Sequence, residues 1–178
     1  SEDKSYIISK KLINKFKNIK IIKNKKNRGI GYNFFKGVSV SRQKYLIQIP
    51  ADNSHPAKEI CKILKFINKK YDLVTTYYSN NAERSVFRNI FTLAYTPFLN
   101  LIYGTKFPYF NGLTLYKTQD LKKIKFINSS FSYQIEIFVY LFHRYKLKIK
   151  IIPTILKDRK KGSKAFRLTN SFLVFFIN

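Results

Sequence analysis

"YLIQI-PADNSHP", Tyr45 to Pro56, decides how this chain reads. An apolar run of strand length ends in a turn-forming stretch that carries one acid, Asp52, and Pro56 then suits the first turn of a helix. Ile60, Ile63, Leu64 and Ile67 follow at helical spacing. A strand, a turn and a helix in that order make half of a βαβ unit. A lone carboxylate just beyond a buried strand is conspicuous here, because the chain holds nine Asp and Glu against thirty-five Lys and Arg.

Outward from that stretch, helical and strand patterns alternate. Tyr6 to Phe16 reads as a helix, Ile19 to Ile22 as a short strand, and Tyr32 to Ser41 as a second helix. Asp72 to Thr76 is a strand, and Glu83 to about Tyr103 a long helix that Pro97 should kink. Leu113 to Tyr116 is a strand, Ser132 to Tyr145 a helix, and Leu147 to Pro153 a strand; the tail from Leu168 reads as helical. Strands separated by helices predict a largely parallel sheet covered on both faces. Such sheets bind ligands beyond the carboxyl ends of their strands, which is where Asp52 falls.

The chain has 178 residues, 45% hydrophobic and 17% aromatic, which suits one folded domain with a core. Its single Cys61 excludes an internal disulfide and fits a reducing compartment. The net charge of +26 invites a nucleic-acid reading. The lysines are spread from end to end, however, and Asn, Ile, Phe and Tyr are abundant beside them, so compositional bias explains the charge better. An acidic membrane surface remains a compatible partner. The run Phe172 to Ile177 is too short to span a bilayer.

Candidate site residues each carry an ordinary alternative. Asp52 reads as a helix cap or as a ligand of a divalent cation that carries a diphosphate. His55 reads as a cap or surface residue and His143 as structural, since neither has a partner at zinc spacing. Gly29 and Gly31 precede a helix, but Phe34 stands where a dinucleotide fingerprint needs its third glycine. Arg84 and Arg88 lie one helical turn apart, and Arg159, Lys160, Lys161 and Lys164 surround Gly162. Such groups suit solvated loops or a phosphate-rich ligand, which the guanidinium fork matches.

Taken in order, these motifs resemble family 2 glycosyltransferases, in particular the polyprenyl-phosphate (dolichyl-phosphate mannose synthase-like) branch. "SEDKS" is similar to the acidic stretch after the family's first strand, and "NRGIGYNFFKG" to its Asn-x-Gly, helix, Gly segment. "PADNSHP" aligns with the Asp-x-Asp metal motif and "YFNGLTLYK" with the acceptor-side turn. "SYQIEIF" carries the helix Glu, and "RKKGSK" is similar to the basic loop. Pro50 replaces the first Asp of the metal motif, and the family's opening strand is absent.

The resemblance implies a GT-A, Rossmann-like α/β fold with a mostly parallel sheet lacking its first strand. Residues 1–167 would form a partial catalytic domain and 168–178 the start of a C-terminal helix with a membrane association open to it. It further implies inverting transfer of a sugar from a nucleotide-sugar to a polyprenyl phosphate or another glycan acceptor, at the cytoplasmic face of a membrane, with no nucleic acid as partner. Asp52, Glu136 and Arg88 would be catalytic. Glu2, Asp3, Asn27, Gly29 and Arg84 would bind the donor. Asn111, Gly112, Arg159, Ser163 and Lys164 would face the acceptor or its phosphate. Asp52 and Ser54 would hold magnesium or manganese, weakly because of Pro50. Transfer to a saccharide hydroxyl, or a non-catalytic basic module for a membrane or nucleic acid, are the other readings open to these residues.

Overall fold

The computed structural model describes residues 5–16, 18–79, 86–125 and 129–157. Helix α1 (Ser5–Lys15) and helix α2 (Ile30–Val40) precede strand β1 (Tyr45–Ile47) and helix α3 (Ala57–Leu64). Strand β2 (Leu73–Tyr78), helix α4 (Val86–Tyr103), strand β3 (Thr114–Lys117) and the short helix α5 (Thr118–Lys122) follow. Helix α6 (Tyr133–Arg144) and strand β4 (Ile149–Thr154) complete the order.

The four strands form one sheet in the order β1-β3-β2-β4. β2 and β4 are parallel, and β3 runs antiparallel to both β1 and β2. Three strands therefore share a direction, and β3 is the single reversed one. Pro153, which has no N–H for a ladder, sits in β4 and pairs only toward β2, a place where an edge strand tolerates it.

Five of the six residues of β2 are buried, because both faces of the sheet are covered. On one face Leu73 and Tyr116 pack with Phe34 and Val38 of α2, Leu99 of α4, and Ile135, Phe138 and Leu141 of α6. On the other, Val74, Leu115 and Ile152 meet Ile63 of α3. Alternate residues of one strand thus feed two cores, the period-2 geometry of a pleated strand. At the strand starts, Asp72 accepts hydrogen bonds from the Lys117 ammonium and from the Lys148 amide. Chiefly through the Lys117 bond, its carboxyl is held below the ordinary value of 3.8.

One sequence expectation about these elements needs correction. Ile19 to Ile22 forms no strand; no ladder partner adjoins it among the described residues, and Ile22 is exposed. The Ile19 amide instead donates to Phe16 O at 3.3 Å, a turn bond, and a stretch with no neighbouring strand has no ladder to satisfy its remaining backbone groups. Helix α4 contains Pro97 within one continuous element. Helix α5 was not anticipated, being only five residues long. The Leu168 tail lies outside the described residues. No helix among those described is long and apolar enough to cross a membrane.

Candidate active site

The turn after β1 is built by Asp52. Its Oδ1 accepts from the Ser54 amide at 3.0 Å and from the Ser54 hydroxyl at 2.6 Å, while Asn53 takes a left-handed φ of 56°. This is an Asx-type turn, and it replaces the helix-cap expectation: α3 is entered through Pro56, with no side-chain cap bond. Asp52 is exposed and Ser54 buried. The Ser54 carbonyl accepts from the Lys157 amide at 2.9 Å, so the turn is tied to the segment leaving β4.

His55 is neither cap nor surface residue. It is buried and lies with its ring centroid 6.0 Å from that of Tyr78, which is 5.1 Å from Tyr109. Its Nδ1 has no hydrogen-bond partner among the described residues. Burial lowers its pKa below the ordinary 6.5, so the ring is neutral at neutral pH. A base with a depressed native pKa binds fewer protons folded than unfolded as pH falls past 6.5, so stability declines in that direction. Thermal melts from pH 8 to pH 5 are expected to show that decline, at no more than about 1.4 kcal/mol per pH unit. His55→Gln should flatten it.

Three other elements end at the same edge. The β2 end is held by the Ser79 amide, which donates to Thr154 O at 3.0 Å. Gly112, at the start of β3, lies so close to β2 that a Cβ there would sit 1.9 Å from Thr76 O. The Gly112 carbonyl accepts from Gln134 Nε2 at 2.6 Å, which pins the amino end of α6 to this turn. The Tyr133 hydroxyl donates to Gln48 Oε1 just past β1. Ser132 Oγ donates to Glu136 Oε1 at 2.9 Å, and the Glu136 amide donates to Ser132 O at 3.1 Å.

Glu59 of α3 is fully buried, and its Oε2 accepts from the Lys62 ammonium at 2.8 Å and from the Ile155 amide at 3.2 Å. It moors the segment after β4 beside the Asp52 turn. A second glycine turn sits at the start of α2. Asn27 Oδ1 accepts from the Gly29 amide at 3.0 Å. Gly29 has a φ of 83°, and a Cβ there would meet Ser129 O at 2.3 Å.

The structure therefore brings Asp52, Ser54, Gly112 and the amino end of α6 with Glu136 to the carboxyl end of the parallel strands. Asn111 adjoins Gly112 and is exposed. Arg88 lies on α4, and nothing further is described of its side chain. Glu2, Asp3, Arg84, Arg159, Ser163 and Lys164 lie outside the described residues. Gln134, Gln48, His55 and Glu59 were missed as site-forming residues. A Glu at i, i+4 from Ile63 on the core face of α3 was the one available signal for a buried carboxylate.

As to metal, the described residues contain no group of three His, Cys, Asp or Glu that could hold an ion. They offer the Asp52 carboxylate and the Ser54 hydroxyl, which are hard oxygen donors. That set fits magnesium or manganese held by one carboxylate with the remaining ligands from substrate phosphates and water.

Among solved structures, the chain is similar to glucosyl-3-phosphoglycerate synthase from Mycobacterium tuberculosis in complex with Mn2+, UDP-glucose and phosphoglyceric acid. The TM-score is 0.65 at 13% identity, over 91% of this chain and 59% of that one. The same enzyme in complex with UDP gives 0.64 at 14%, over 98% and 63%. A structure described as a mycobacterial protein gives 0.60 at 15%, over 91% and 55%. At such identities the likeness shows the GT-A fold, and the chain spans less than two thirds of each of these proteins. No curated protein sequence matches it. The model of the family "Glycosyl transferase family 2" matches residues 1–138, most of the chain; with a Gly turn, an Asp turn and a helix Glu gathered at one sheet edge, this chain belongs to glycosyl transferase family 2.

Proposed function

We propose that this chain forms part of an inverting glycosyltransferase that moves a sugar from a nucleotide-sugar to a polyprenyl phosphate at the cytoplasmic face of a membrane. The observation that carries the reading is the convergence of the Asp52 turn, the Gly112 turn and the amino end of α6 on the carboxyl edge of the sheet. Family membership supports the reaction class, and the neighbouring synthase was crystallised with both a nucleotide-sugar and a phosphate-bearing molecule.

Asp52 is the protein carboxylate for a divalent cation, with Ser54 beside it. Bound there, such an ion neutralises charge growing on a departing diphosphate. Gly29 and Asn27 shape the turn into α2, whose amino end favours an anion. Asn111 and Gly112 form the acceptor-side turn, with Arg88, Arg159 and Lys164 as phosphate partners. A phosphate monoester has a second pKa near about 6, so at neutral pH it is already a dianionic nucleophile. It needs no general base, which leaves Glu136 free to anchor α6 through Ser132. A saccharide hydroxyl, by contrast, requires a carboxylate within reach, and Glu136 is the candidate for that second reading.

UDP with manganese is expected to raise the melting temperature of this chain, since a ligand of the native state stabilises it. Asp52→Ala should weaken that binding by about 10- to 100-fold. An unchanged melt in the parent chain at millimolar UDP and manganese would remove the donor-site reading. For the acceptor, a longer form extended at both ends should glycosylate polyprenyl phosphate and leave free saccharides untouched; the reverse selectivity assigns the base role to Glu136.

A further inference from the structure

The start of β1 and the end of β3 border an open recess of about 440 Å³, at the opposite end of the strands from Asp52. The register that places Tyr45 opposite Lys117 creates it. Five of its eleven lining residues are cations and none is an acid, more than twice the share that thirty-five Lys and Arg in 178 residues would give. These are Arg42, Lys44, Lys69, Lys117 and Lys122. Of these five cations, only Lys117 has an ion-pair partner among the described residues, Asp72; nearby Asp120 is engaged by Lys123 at 3.1 Å.

Neutral acceptors hold two of the remaining ammonium groups in place. Lys44 Nζ donates to Asn68 Oδ1 at 3.2 Å, and Lys122 Nζ to Ser41 O at 2.8 Å. Each ammonium has three N–H groups, so each keeps donors beyond its tether. Thr118 also lines the recess, is 4% exposed, and has a hydroxyl without a hydrogen-bond partner among the described residues. A buried hydroxyl without a partner is unusual and costs stability unless something meets it. The volume lies within the range of small-molecule sites, and the charge selects the occupant's sign.

We propose that this recess is a binding site for a phosphate-bearing anion, separate from the sheet edge that carries Asp52. Phosphate oxygens accept the ammonium and guanidinium donors of Lys44, Lys69, Lys122 and Arg42, in charge-assisted bonds that are stronger than neutral ones. The site stands whether or not the transfer reaction does.

Inorganic pyrophosphate, titrated calorimetrically at about 0.15 M salt with chelator and without nucleotide, is the first probe. Omitting metal keeps the Asp52 turn out of the measurement. The double variant Arg42→Gln/Lys122→Gln is expected to weaken binding by about tenfold or more, and a control of equal charge loss, Lys10→Gln/Lys36→Gln, by less than about twofold. Lys69→Gln, whose side chain makes no hydrogen bond or ion pair among the described residues, repeats the test should the double variant not fold. Sedimentation with phosphatidylglycerol vesicles distinguishes the source. Vesicle binding that needs Arg42 and Lys122 and is displaced by pyrophosphate identifies a lipid headgroup; pyrophosphate binding without it identifies a soluble phosphate compound. Equal losses in recess and control variants, or no saturable binding to the parent chain, overturn the proposal.

Discussion

Gly112→Ala is expected to lower the stability of this chain by about 3 kcal/mol or more, at or above the upper end of what overpacking usually does. The added methyl would sit 1.9 Å from Thr76 O and 2.8 Å from Thr76 Oγ1. Neither neighbour can step aside cheaply, because Thr76 lies inside β2, paired with Ile152 of β4. The start of β3 would have to withdraw from β2, loosening the Gln134 bond to Gly112 O and the 3.2 Å bond from Thr114 Oγ1. Urea unfolding measures this as a drop in midpoint at constant slope. A loss under about 1 kcal/mol would mean that the close approach between the two strands is not maintained in solution.

The second large effect is expected at Phe138. Its ring is 1% exposed and packs edge-on to Phe107 at 5.1 Å, Phe110 at 6.2 Å and Tyr116 at 6.4 Å. Truncation to alanine removes a large buried surface and leaves a cavity walled by rings too rigid to collapse. Losses for such changes run about 3–5 kcal/mol. Phe142, one helical turn on, provides the contrast. It touches Phe107 at 5.7 Å but is 37% exposed, so Phe142→Ala should cost about 1 kcal/mol. Comparable losses at both positions would show that α6 does not present its Phe138 face to the sheet.

The order of helices and strands was largely legible, because β1, β2, β4, α3 and α6 each carry their own periodicity. Strand order was not. That β3 runs backward between β1 and β2 depends on pairings such as Tyr45 with Lys117, which no local pattern encodes. The Ile19 to Ile22 stretch failed for a related reason: strand propensity is realised only beside a neighbour.

In the site, Asp52 at a strand end could be read directly, since composition makes each acid stand out. Its role in a turn with Ser54 could not, because an Asp two residues before a polar neighbour suits turns and caps alike. His55 and Glu59 were harder still. Both are polar residues on faces the fold buries, and their burial is decided by Tyr78 and Ile155, which arrive from later in the chain. The basic recess was invisible for the opposite reason, as its cations come from three separated segments in a sequence already crowded with lysine.

The parallel pairing of Leu73 with Ile149 has a consequence for how the molecule comes into being. Everything between those residues must leave the ribosome before β2 gains its β4 neighbour, so one flank of that central strand waits open during translation. Long-range closure of this kind slows folding and leaves a strand edge available to other chains meanwhile. Thr75 and Thr76, both fully buried in the finished sheet, place hydroxyls in the middle of that waiting segment, where an all-aliphatic run would make a stickier edge.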